Sequence, residues 1–137
     1  MILVEGPAHE TAHALLFGMT LGADLTTNDP AGRYASPLRR DPRPIEGIVH
    51  ATYVLARMNH ALLALRKAPT LDEGERALID TKLDRNRASY EAGLDVVLAH
   101  ARFTPEGGAI FAACREATSP QPAMRTTWPS PPDREQL

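Results

Sequence analysis

Two imidazoles and a carboxylate stand close together near the start of the chain, in His9-Glu10-Thr11-Ala12-His13. Four residues separate the histidines, so on a helix both rings project from one face, a turn apart, and can share a divalent cation. Glu10 then lies beside that cation without ligating it, placed as a catalytic general base toward a metal-bound water. Three fixed residues at this spacing arise by chance in roughly one in a few hundred chains of such length. The competing reading is a surface helix carrying two coincidental histidines.

Such a centre needs at least one more protein ligand. A second helix, expected over residues 44–67, offers it. Ile45, Ile48, Val49, Val54, Leu55, Met58, Leu62 and Leu65 spread apolar character round most of its circumference, while Glu46, His50, Tyr53 and Arg57 fall on one stripe. A helix buried on most sides does not carry a carboxylate, an imidazole and a guanidinium inward unless they are paired or bind something. The stripe is therefore either the solvent face or the wall of a site. Glu46 as third ligand would complete a zinc-hydrolase set or the two-histidine, one-carboxylate face of non-haem iron. His50 would give a three-histidine centre. Spacing leaves both open. His60 and His100 lie elsewhere and read as surface or packing residues, and the lone Cys114 as a small buried hydrophobe.

The elements that must position these groups are helical. Pro7, Glu10 and Gly18 suit a helix over residues 7–18, with proline in the first turn, an acid at the positive end of the dipole and glycine as terminator. Residues 21–44 form a long loop, punctuated by Gly22, Asn28-Asp29-Pro30, Gly32, Pro37, Pro42 and Pro44, with Arg33, Arg39, Arg40 and Arg43 in its second half. Pro44 opens the second helix and Pro69 forces its end. Thr70 and Glu73 match a capping box for a third helix, which runs to about residue 102 with Gly93 as a weak point. A short fourth helix is expected over residues 104–117, weakened by Gly107-Gly108. Pro120, Pro122, Pro129, Pro131 and Pro132 make residues 118–137 a disordered tail. The expectation is an all-α bundle of three to four helices: a metal-binding domain over residues 1–117, then the tail.

Bulk properties narrow the partners. A 137-residue chain with 43% hydrophobic and 23% charged residues is a single small globular domain. A net charge of −2 gives no basic field for nucleic acid. No apolar run is long enough to cross a membrane, and no signal peptide is evident. One cysteine excludes an internal disulfide and suits a cytoplasmic location.

Beyond these readings, the chain resembles a known family over residues 5–117. The run His9-Glu10-Thr11-Ala12-His13-Ala14-Leu15-Leu16 looks like that family's metal motif. The more specific second block is Tyr34-Ala35-Ser36-Pro37-Leu38-Arg39-Arg40-Asp41-Pro42-Arg43-Pro44, leading through Gly47 to His50 and Val54-Leu55-Ala56-Arg57. The family is the HExxH-motif peptide-modification proteins of ribosomal peptide biosynthesis, the α-ketoglutarate-HExxH peptide β-hydroxylases. The resemblance implies Fe(II) in place of Zn²⁺, with 2-oxoglutarate and O₂ as co-substrates and a precursor peptide as substrate. It implies His9 and His13 as iron ligands and puts His50 at the family's later histidine, ahead of Glu46. The far carboxylate of 2-oxoglutarate would need a guanidinium, from Arg43, Arg57 or Arg39. Family members carry a longer region before the motif, so a homodimer or an N-terminal partner region is expected to cover the site. The readings from other classes are a zinc metallopeptidase with Glu10 as base and a non-catalytic helical module.

Overall fold

The computed structural model describes Glu10, Ala14 and residues 24–118. Over residues 24–118 the regular structure is three helices: α1 Ile45–Arg66, α2 Glu73–His100 and α3 Pro105–Thr118. They are the second, third and fourth helices expected from the sequence, and the fold is all-α. The expected first helix, with His9 and His13, and the proline-rich tail lie outside the described residues. Of the motif segment, Glu10 and Ala14 are helical and exposed.

Proline places the start of α1, since Pro44 precedes it with φ −58° and ψ 153°, extended backbone that the ring accepts. The start of α2 differs from the expected Thr70. Asp72 is the N-cap, its side chain accepting from the Glu75 N–H at 2.7 Å, while the Glu75 carboxylate accepts from the Asp72 N–H at 3.0 Å. The reason is Leu71, which packs against the core cluster of Leu62, Ile79 and Leu83 and sets the cap two residues later. Thr104 opens α3: its hydroxyl accepts from the Gly107 N–H at 3.1 Å, with Pro105 in the first helical position.

α1 and α2 form an antiparallel hairpin. Near its turn Arg66 is bidentate to Asp80, and further along Thr52 meets Gly93. Gly93 is no weak point. α2 runs through it, and the glycine is buried because a side chain there would run into the Thr52 hydroxyl and into Pro37. α3 packs on α1, and Gly107 lets the α3 backbone sit directly on the Leu25 carbonyl.

The core has two parts. Leu25, Ile45, Ile48, Val49, Tyr53, Val54, Ala56, Val97, Phe111 and Cys114 form the larger, with Phe103 stacked on Phe111 at 5.1 Å. Leu62, Ile79 and Leu83 form the smaller, toward the α1–α2 turn. Each fully buried aliphatic side chain contributes about 1.5–3 kcal/mol.

Residues 24–44 hold no helix and are pinned at two places. The stretch around Thr26 runs beside Phe103, with the Thr27 N–H donating to the Arg102 carbonyl at 2.7 Å and the Thr104 N–H to the Leu25 carbonyl at 2.9 Å. Asn28 extends the contact, donating to the His100 carbonyl at 2.8 Å and accepting from the Arg102 N–H at 2.7 Å. Tyr34 and Arg43 then exchange both backbone hydrogen bonds, at 2.8 and 2.9 Å, closing an excursion whose inner residue Pro37 packs on Gly93 beside Thr52.

Candidate functional site

The stripe on α1 divides into three environments. At its start, Glu46 is a clamp. Its Oε1 accepts from the Leu25 N–H at 2.9 Å, and its Oε2 accepts from the Thr26 N–H at 3.1 Å and from the Thr26 hydroxyl at 2.6 Å. The carboxylate thereby joins the chain that follows the motif segment to the first turn of α1. Charge-assisted bonds of this kind are among the stronger ones.

One turn on, His50 is half-buried, with Nε2 3.9 Å from Glu46 Oε1. Tyr53, the next member, is covered by α3 and only 5% exposed. Its phenol is raised above its ordinary range by burial, an effect that Arg57 opposes. Arg57 is exposed and lies beside both Tyr53 and Cys114. The stripe is thus neither a solvated face nor the wall of one site.

The loop arginines also separate. Arg39 is exposed on a turn in which Ser36 Oγ accepts from the Leu38 and Arg39 N–H groups at 3.3 and 3.2 Å. Arg43 is half-buried. Its Nη2 pairs with Asp41 at 3.0 Å, its β-carbon lies under Gly47 in the first turn of α1, and its buried Nε has no acceptor among the described residues. A buried donor without an acceptor costs about 1–3 kcal/mol.

Of the proposed metal ligands, His50 is described and lies near Glu46, while His9 and His13 lie outside the described residues. Among the described residues no three of His, Cys, Asp and Glu converge on one point. His100 is a packing residue, its ring 4.8 Å from that of Tyr34. Cys114 is buried, and burial pushes its thiol up to about 11, against a smaller opposing effect from Arg57. It is held protonated and is no nucleophile at neutral pH.

Sequence reasoning did not foresee a cleft between α1 and α3, of about 220 Å³, lined by Tyr53, Arg57, His60, Ile110, Cys114 and Thr118 among others. It also took Glu46 for a ligand or a surface acid.

Comparison with known protein families and with curated proteins finds no match to this chain.

Proposed function

We propose that the chain is a metal-dependent peptide-modifying enzyme, an Fe(II)- and 2-oxoglutarate-dependent hydroxylase of a peptide side chain. The observation that carries this reading is the half-buried His50 imidazole at the start of α1, one turn from the Glu46 clamp that holds the segment following His9-Glu10-Thr11-Ala12-His13. That clamp holds Leu25 and Thr26, twelve and thirteen residues after His13, at the end of α1 that carries His50.

His50 is preferred to Glu46 as the third ligand beside His9 and His13, because both Glu46 oxygens already accept hydrogen bonds from Leu25 and Thr26. Of the guanidinium candidates, Arg43 suits a carboxylate best, since its buried Nε donor has no acceptor among the described residues. Arg57 looks instead into the α1–α3 cleft, and Arg39 is exposed on its turn. When bound, iron with 2-oxoglutarate supplies the activation of O₂ that puts an oxygen atom into a C–H bond. The chain's own share is to hold the imidazoles, to orient the co-substrate's far carboxylate through Arg43, and to keep Glu10 near the centre as a proton acceptor.

The test is an anaerobic titration of the purified chain with Fe(II), with and without 2-oxoglutarate, read by visible absorption. A charge-transfer band that requires both additions supports the reading. Tight stoichiometric Zn²⁺ binding without the band would return the case to a hydrolase with Glu10 as base or to a structural metal. Neither signal would leave a non-catalytic helical module.

A further inference from the structure

A second surface lies farther along α1, past His50. The 220 Å³ cleft between α1 and α3 adjoins a larger groove of about 700 Å³, lined by residues of all three helices. Ala56, His60, Ala117 and Thr118 line both, so the two are lobes of one continuous depression. The Tyr90 hydroxyl and the Thr118 hydroxyl, 3.0 Å apart, fix its edge by tying α2 to the end of α3.

The chemistry of its walls is uneven. Ile110, Ala113 and Cys114 make the smaller lobe apolar, and Leu63, 46% exposed, with Leu83 and Leu94 continues that character into the larger. Among the described lining residues, Arg57, Arg87 and Arg115 stand with one carboxylate, Glu91, and His60 lies where the lobes join. In a chain of net charge −2, this concentration of guanidinium is a local reversal of sign. Its volume is in the range that takes a ligand.

We infer that this two-lobed depression is a docking site for an acidic peptide segment that seats one apolar side chain in the Tyr53–Cys114 lobe and lays its carboxylates along Arg57, Arg87 and Arg115. The apolar lobe argues against a polyanion without side chains to bury, such as a single-stranded nucleic acid. The volume of the groove and the spread of its charges over three helices argue against a small acid. The site uses none of His9, His13, His50 or Arg43, so it stands or falls apart from the hydroxylase reading.

The full chain, without added metal, is titrated against a fluorescein-labelled peptide of about ten residues mixing glutamates with leucine and one phenylalanine, read by anisotropy. Three probes run beside it: the same peptide with lysine for glutamate, one with serine for the apolar residues, and oligo-dT. Saturable binding of the acidic amphipathic peptide alone, weakened by salt, is expected. Arg87→Glu should weaken it at least about tenfold. Ala117→Trp, at an exposed position shared by both lobes, should abolish it by filling the depression. Each variant is first shown by circular dichroism to melt as the parent does, and Arg57→Gln replaces either one that does not. Equal binding of the lysine peptide, tighter binding of oligo-dT, binding indifferent to these substitutions, or no binding at millimolar peptide would each overturn the inference.

Discussion

Thr52 on α1 and Gly93 on α2 meet with no room between them for another carbon atom. The Thr52 hydroxyl is buried and donates back to the Ile48 carbonyl at 2.8 Å, so it cannot turn away without leaving that bond. Gly93→Ala should therefore destabilise the fold by about 1–3 kcal/mol, as overpacking in a filled interior does. Thr52→Ala in the same chain should return part of that loss. A double-mutant cycle by chemical denaturation measures the coupling, and strict additivity would contradict the contact.

At Gly107 the obstacle is backbone, the carbonyl of Leu25, which has no rotamer to change. Gly107→Ala should cost more than Gly93→Ala, about 3 kcal/mol or above. Thermal melts of the two single variants rank them directly.

The Glu46 clamp can be opened one oxygen at a time. Glu46→Gln keeps the shape but turns one acceptor into a donor, set against either the Leu25 N–H or the Thr26 N–H, while Thr26→Val removes only the hydroxyl bond. Losses of about 1–3 kcal/mol and about 1 kcal/mol are expected. Urea denaturation checks the order, and an equal effect of both would mean that the backbone bonds contribute little.

Alkaline pH should loosen the α1–α3 contact. The Cys114 thiol is raised by burial from its ordinary 9.0 to about 11. Folding therefore favours its protonated form, and this contribution is whole below pH 9 and is lost as pH rises through 11. The expected loss is on the order of 2 kcal/mol. Iodoacetamide labelling at pH 9 should be much slower in the native chain than in urea, and Cys114→Ala should flatten the alkaline limb of stability.

If the proposed metal site forms as argued, His50→Ala should lower Fe(II) affinity at least about tenfold, while His60→Ala should leave it unchanged. Calorimetric titration separates the two, and parallel losses would exclude His50 as a ligand.

How much of this was legible beforehand follows from the physics of each signal. Pro44 and Pro69 bracket α1 because a ring without an N–H constrains the chain locally, whatever surrounds it. Asp72 was missed in favour of Thr70 because the choice between two capping residues rests on where Leu71 packs, a tertiary fact. Gly93 read as a weak point because glycine lowers helix propensity, whereas its use is closeness to another helix. In the second block, Pro37 fills the α1–α2 contact and Ser36 caps a turn, packing roles that no spacing rule announces. Glu46 and His50 were found as a pair on one face, but the division of labour between them depends on Leu25 and Thr26, some twenty residues earlier in the chain.

Between the two parts of the core sit Asn59 on α1 and Asn86 on α2, Asn59 between Met58 and Leu62 in sequence and Asn86 between Leu83 and Tyr90. Asn59 Oδ1 and Asn86 Nδ2 are buried without partners among the described residues. A polar seam of this kind interrupts apolar continuity along the hairpin, so cooperativity should weaken across it. The tip, with Leu62, Ile79 and Leu83, then becomes its own opening unit. Amide hydrogens near the Arg66–Asp80 end should exchange by partial opening while those around Ile48 and Val97 wait for global unfolding. The hairpin would behave as two foldons joined end to end.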